Sequence, residues 1–191
     1  MGVDHASHLF DMGKEQQKTA EYRAIHPLGV VPALITPSYT MFESVAIVLQ
    51  LCDEHPEAQL APAVGSPQRA AYYQWSVFAC AELDPAIMMY FDNALRPVDF
   101  GGARDDALAA RGREGFRARA DILSDHLRDR DYLLGPQFSG ADILVGHSCF
   151  MATHTELIGD HPVLEAWHAR LTERPAYRRA YATPEQEGPR K

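Results

Sequence analysis

Long apolar runs are missing from this sequence. No stretch approaches the roughly 20 apolar residues that a helix needs to cross a bilayer. Asp4, Asp11 and Lys14 interrupt the start of the chain, so no signal-peptide core is expected there. Cysteine is scarce. Cys52, Cys80 and Cys149 form an odd, widely spaced set, which argues against a disulfide framework, and no Cys-x-x-Cys pair suggests zinc or dithiol chemistry. Reduced thiols in the cytoplasm are the simplest expectation. Basic residues are outnumbered: 18 Lys and Arg face 26 Asp and Glu, a formal net charge of −8. A nucleic acid or an anionic lipid surface would select a basic face, so neither is expected as a partner. There is no internal repeat and no low-complexity segment.

The 191 residues are 46% apolar, enough for one large or two small domains with real cores. Up to about Pro56 the pattern mixes helical and extended pieces. Lys14 to Ile25 reads as a helix with Tyr22 and Ile25 on one side, stopped by His26-Pro27-Leu28-Gly29. Val30 to Ile35 is a short β-rich run, Thr36-Pro37-Ser38-Tyr39 a turn, and Thr40-Met41-Phe42 a second strand. Glu43 to His55 reads as a helix with Val45, Ala46, Val48, Leu49 and Cys52 as its apolar face.

Pro56, Pro62 and Gly65 punctuate a linker, and beyond it the chain reads as helical. Ser66-Pro67 is a start signal, with Ser as cap and Pro at the first helical position, and that helix is expected to reach Leu95. Arg96 to Arg104 is a polar loop. Asp105 to Arg130 reads as a charged amphipathic helix with Phe116, Ile122, Leu123 and Leu127 inward. Ser139 and Asp142 have capping-box spacing with Asp in place of Glu, ahead of a helix apolar on most sides. Pro162 to Thr172 and Ala176 to Tyr181 close the chain. The expected domains are residues 1–58, α/β, and 66–191, all-α.

These segments, in this order, resemble the cytosolic glutathione transferases, and the likeness runs from about Leu9 to Tyr181. Gln17 to Tyr22 followed by His26 to Leu34 looks like the family's second helix and the loop into its third strand. Phe42-Glu43-Ser44-Val45-Ala46-Ile47 looks like its Glu-Ser-x-Ala-Ile motif. Phe138-Ser139-Gly140-Ala141-Asp142-Ile143-Leu144 looks like the capping motif of its helical domain. The resemblance is closest to members of bacterial type. It implies a thioredoxin-like N-terminal domain, incomplete at its start, followed by an all-helical domain.

The resemblance also implies glutathione as co-substrate, held by Val31, Pro32, Glu43 and Ser44. The chemistry of those positions agrees. A cis Pro32 would turn the neighbouring backbone groups toward a peptide ligand, which pairs with Val31 like an added strand. Ser44 opens a helix, whose N–H groups and dipole suit the γ-glutamyl carboxylate. Glu43 can accept from the ligand's ammonium. Read singly, Val-Pro is an ordinary extended dipeptide and Glu-Ser an ordinary helix start; the combination is what points to a site.

Two departures from the family stand out. Its first strand, loop and helix, with the Ser, Tyr or Cys that activates the glutathione thiol, would precede the segment near Leu9, so no catalytic residue is assigned. Val30 stands where members often carry Lys or Gln reaching the glycine end of glutathione. Ser139 and Asp142 are read as structural. His147 and His154 lie two turns apart, as do His161 and His168, but no carboxylate or cysteine completes a ligand set, so no metal is expected. Trp75, Phe78, Met88, Met89, Tyr90 and Phe91 fit a core or the lining of an electrophile pocket equally well.

Three functions remain open: a transferase acting on a small electrophile, a non-catalytic module of the same fold kept for binding or dimerisation, and a shortened product of a longer transferase. A homodimer is expected on the resemblance, through the long helix from Ser66 and the last helix of the small domain. The apolar content of Tyr72, Tyr73, Trp75 and Phe78 is consistent with such an interface.

Overall fold

The computed structural model describes residues 1–182; residues 183–191, the end of the expected helical domain, lie outside the described residues. Two compact units are present, Met1–Gln59 and Leu60–Tyr181. The first is mixed and the second all-helical, the α/β plus all-α class that the sequence predicts.

In the first unit, residues 1–11 carry no helix or strand. The helix expected from Lys14 to Ile25 is broken into single 3-10 turns, Met12–Lys14 and Gln16–Lys18, and a short α1, Ala20–Arg23. Side chains cause the breaks. Asp11 accepts from the N–H groups of Gly13 and Lys14, and Thr19 accepts from that of Tyr22. Such local bonds offer the backbone an alternative to a continuous helix. Only Gln17 and Tyr22 are buried along this stretch, too little apolar surface to hold a long helix.

Strands β1, Ala33–Ile35, and β2, Thr40–Phe42, pair antiparallel with Ala33 opposite Phe42, Leu34 opposite Met41 and Ile35 opposite Thr40. The strand expected from Val30 starts three residues later, because Pro32 has no N–H to give a ladder and its bond to Val31 is cis. Thr36 closes the hairpin. Its N–H and hydroxyl donate to the Tyr39 carbonyl, and its Oγ1 accepts from the N–H groups of Ser38 and Tyr39. Helix α2, Ser44–Glu54, follows directly and buries Cys52.

The second unit begins with α3, Pro67–Phe78, capped by Ser66, whose hydroxyl accepts from the Arg69 N–H at 3.3 Å. The helical path reaches Leu95 as expected, but two π turns interrupt it, Ala79–Leu83 and Phe91–Leu95, on either side of α4, Asp84–Tyr90. The first π turn runs into Pro85. Proline cannot donate to the carbonyl four residues back and its ring would crowd that carbonyl, so a wider turn there relieves both faults.

Helix α5, Asp106–Leu127, is capped by Asp105, which accepts from the N–H groups of Ala107 and Leu108. Phe116, Ala120, Leu123 and Leu127 are buried at helical spacing. Ile122, expected inward, is 54% exposed, since it lies about 100° around the helix from Leu123. Helices α6, Gly140–His154, α7, Pro162–Thr172, and α8, Pro175–Tyr181, complete the unit. Its interior gathers Tyr72, Leu83, Phe116, Leu133, Val145, Leu164 and Trp167. Full burial of each such side chain contributes about 1.5–3 kcal/mol, which explains why this unit holds together around its own core. Tyr72 and Trp75 belong to that core, so of the residues expected at a dimer interface Tyr73 is the exposed one.

Candidate functional site

The hairpin brings the four sequence-assigned residues to one end of the first unit. The register ends at the Ala33–Phe42 pair; Val31 and Pro32 lead directly into Ala33, and Glu43 and Ser44 follow directly from Phe42. All four are exposed. The Val31–Pro32 peptide bond is cis, as the sequence reading expects. The backbone N–H and C=O of Val31 have no partner among the described residues.

Glu43 stands at the mouth of α2 with φ 75° and ψ 107°, a conformation that L-residues rarely adopt. No side chain caps this helix and no acidic residue lies in its first turn. Ile47 is the first residue of α2 to bond back, donating to the Glu43 carbonyl. The N–H groups of Ser44, Val45 and Ala46 therefore point out of the helix end unclaimed, with the positive end of the dipole behind them. An exposed carboxylate, an exposed hydroxyl, free N–H groups and an open backbone edge thus converge on one spot. Chemically, a free helix N-terminus suits an anion, a carboxylate suits a cation and an open backbone stretch suits an extended peptide.

An aromatic stack sets the position of this spot. Tyr22 Oη donates to the Val30 carbonyl at 2.9 Å. The Tyr22 ring meets Phe10 at 4.5 Å between centroids, and the His26 ring meets Phe42 at 4.7 Å. Gly29, at φ 57°, lets the chain turn between them, because a Cβ there would lie 2.7 Å from the Gln17 carbonyl oxygen. The sequence reading did not single out this support. Its one legible signal is an aromatic pair, Tyr22 and His26, at four-residue spacing.

The other tyrosine and the one cysteine of this unit are engaged elsewhere. Tyr39 Oη donates to Glu54 at 2.7 Å, and that bond, with some burial, raises its phenol above the usual range. Burial raises the Tyr22 phenol. Cys52 is 1% exposed.

The helical unit keeps its own polar features. Asp142 is fully buried. One carboxylate oxygen accepts from the Leu133 N–H at 2.8 Å, and the other from the N–H and hydroxyl of Ser139, each at 2.8 Å. Burial pushes its pKa up against these bonds. The expected capping box is thus present and reaches beyond its own helix to pin the Leu133 loop. The histidines pair with aromatic partners: His147 Nδ1 lies 2.8 Å from Tyr181 Oη, and His168 Nε2 lies 3.1 Å from Tyr177 Oη. Among the described residues no group of three or more His, Cys, Asp or Glu is gathered to hold a metal ion. Of the aromatic and methionine stripe, Trp75 and Tyr90 are core, while Met89 lines a groove of about 650 Å³ with Pro85, Ala86 and Gly115. No helix among the described residues is long and apolar enough to cross a membrane.

Comparison with known proteins agrees with this architecture in both units. The family described as "Glutathione S-transferase, N-terminal domain" matches residues 2–59, and "Glutathione S-transferase, C-terminal domain" matches residues 106–170. The probable glutathione S-transferase GSTF2 of Oryza sativa subsp. japonica is 26% identical over 179 residues, covering 92% of this chain and 83% of that protein. Among solved structures, the ternary complex of BphK, a bacterial glutathione transferase, is 30% identical with a TM-score of 0.74, covering 84% of this chain and 76% of that one. A glutathione transferase from Burkholderia graminis, solved with two glutathione molecules bound per subunit, is 26% identical with a TM-score of 0.81, covering 97% and 80%. These matches extend through both the thioredoxin-like unit and the helical one, and the chain belongs to the glutathione S-transferase family.

Proposed function

We propose that this chain binds glutathione at the Val31–Ser44 end of its first unit and joins the glutathione sulfur to the electrophilic carbon of a small molecule, the thiol proton going to solvent and the leaving group departing from that carbon, with turnover slowed by weak thiol activation. The observation that carries the binding reading is the uncapped N-terminus of α2, with Ser44 at its first position and Glu43 at φ 75° beside it. The γ-glutamyl carboxylate would take the free N–H groups of Ser44 and Val45 and the Ser44 hydroxyl. Glu43 would accept from the ammonium, and the cysteinyl backbone would pair with Val31 beside the cis Pro32. Three separate recognitions by a rigid turn suit a flexible tripeptide, since each group is held where the backbone already points. The relatives solved with glutathione support the same ligand.

Thiol activation needs a donor that stabilises the thiolate. The Tyr22 and Tyr39 hydroxyls are committed to Val30 and Glu54, and Cys52 is buried. We assign the activating role to no residue of this chain. The bound thiol then keeps a pKa near its ordinary value of about 8.5, so about 1% is thiolate at pH 6.5. The reading includes a homodimer, with exposed Tyr73 and Val77 of α3 at its interface, and a detoxifying role in the cytoplasm. The same commitment of donors favours a second reading, a glutathione-binding module without catalysis.

The test is purified chain with glutathione and an aromatic halide across pH 6 to 9, against a complete homologue. The proposal expects binding, a slow enzymatic rate, and a rise of about tenfold per pH unit below the thiol pKa. A rate equal to the homologue's at pH 6.5 overturns weak activation. Binding with no rate above background selects the non-catalytic module.

A further inference from the structure

Helix α8 is attached to its unit through histidines. It spans seven residues, and none of them is buried. A helix so short does not persist in water without packing. Two tyrosines supply most of that packing. Tyr177 Oη lies 3.1 Å from His168 Nε2 on α7, and Tyr181 Oη lies 2.8 Å from His147 Nδ1 on α6. The Tyr181 ring also meets Phe150 of α6 at 4.3 Å between centroids and Tyr177 at 4.4 Å. Arg178 Nε adds a bond of 3.3 Å to the Thr172 carbonyl.

The surrounding groups decide which of these partners titrates. Burial, with a smaller effect from Cys149, raises the Tyr177 phenol, and burial with Tyr177 pushes that of Tyr181 up to about 12, so both hydroxyls keep their protons. Such a hydroxyl donates to the bare nitrogen of a neutral imidazole. His168 is 7% exposed. Burial, and then His154 of α6, hold its imidazolium below the ordinary pKa of 6.5. No carboxylate acts on it to compensate. Glu165 of α7 and Glu173 just after it are exposed, and Asp84 of α4 acts on His147 and Cys149 of α6 instead. Arg170 of α7 pairs with Asp131. Helix α8 itself carries Arg178 and Arg179 and no acid, and Arg174 precedes it.

We propose that His168 is a proton-operated latch for α8: the helix is docked while the ring is neutral and is released when the ring takes up a proton. Release opens to water the Nε2 edge that Tyr177 covers, so the released state binds the proton more readily than the docked one. The docked pKa lies below the released one. Docking is therefore strongest above about pH 6.5 and weakens as the pH falls, until the docked pKa is passed. The charge on the ring also repels the basic segment docked against it. Every part of the latch lies in the helical unit, so it does not depend on the glutathione reading.

Amide hydrogen exchange on the whole chain, resolved by residue, tests it. Expressed as protection factors, the data are free of the intrinsic pH dependence of exchange. Protection of the Arg178 to Tyr181 amides should fall by about fivefold to tenfold between pH 7 and pH 5.5. That opening should respond only weakly to low urea, because a seven-residue helix exposes little surface. His168→Gln keeps a polar partner for Tyr177 but cannot titrate, and should make α8 protection flat over this range. Tyr177→Phe keeps the sensor and removes its partner, and should lower α8 protection about fivefold at pH 7. Protection that is flat with pH in the unaltered chain overturns the proposal, and so does a pH dependence that survives His168→Gln or unchanged protection in Tyr177→Phe. Opening of α8 with the urea slope of global unfolding overturns it too, since the helix would then leave only with the whole unit.

Discussion

Replacing Asp142 by Ala should cost the helical unit about 3 kcal/mol. The carboxylate is fully buried and accepts three hydrogen bonds of 2.8 Å. Alanine leaves the N–H groups of Leu133 and Ser139 without acceptors, and both residues are almost completely buried, so water cannot replace the lost partner. Each orphaned donor costs about 1–3 kcal/mol, while the Ser139 hydroxyl can rotate and recover part of its loss. Against this stands a gain, because burial disfavours the carboxylate itself, as its raised pKa records. Removing that disfavoured charge offsets part of the loss, and two orphaned donors at about 1–3 kcal/mol each leave a balance of about 3 kcal/mol. Asn at the same position keeps one carbonyl acceptor but turns an amide toward a donor, so it should recover less than half. Urea unfolding followed by far-UV circular dichroism reads both variants. A loss under about 1 kcal/mol for Asp142→Ala, at unchanged slope, would refute the view that this side chain ties the α6 cap to the Leu133 loop.

Two further perturbations probe the same unit. A Cβ at Gly112 would lie 2.5 Å from the Tyr90 nitrogen and 2.9 Å from the Ala86 oxygen, both backbone atoms. Gly112→Ala should therefore push α4 and α5 apart and cost about 1–3 kcal/mol, outweighing the gain of about 1 kcal/mol in helix propensity; a stabilised variant would contradict that crossing. His168 is buried, and burial, with a smaller effect from His154, holds its imidazolium below the ordinary pKa of 6.5. The folded state thus favours the neutral ring, and the unfolded chain takes the proton first. Stability should fall as pH drops below about 6.5 and keep falling until the folded pKa is passed, and His168→Phe should flatten that slope; an unchanged slope in denaturation curves taken at pH 5 to 7 would sink the assignment.

The sequence is most legible where one local rule decides the outcome. Ser66-Pro67, Asp105 and the Ser139–Asp142 pair each start a helix where the spacing predicts. The β1–β2 hairpin follows from the Thr36–Tyr39 turn. Local rules fail where two of them compete. Tyr22 and Ile25 suggest a helix from Lys14, but Asp11 and Thr19 claim the backbone donors and split it. Pro85 lies inside an otherwise helical pattern, and the chain answers with a π turn rather than a break. Ile122 is apolar yet exposed, because the stripe through Phe116, Leu123 and Leu127 leaves no room for it on the inner face. At the candidate site, the residue types Val31, Pro32, Glu43 and Ser44 are readable from the motifs. The positive φ of Glu43 and the Tyr22 bond to Val30 are not, since no local spacing rule sets either that backbone angle or a contact eight residues apart.

The central claim is that glutathione occupies the end of the hairpin formed by Val31, Pro32, Glu43 and Ser44. Titrating glutathione into isotope-labelled chain and following the backbone amides by NMR tests it directly. The Val31, Ser44 and Val45 amides should shift together along one saturating curve, and Ser44→Ala should weaken that curve by about tenfold through loss of a hydroxyl bond to a carboxylate. Saturable shifts confined to other residues, or no shift at these three amides at millimolar glutathione, would contradict it.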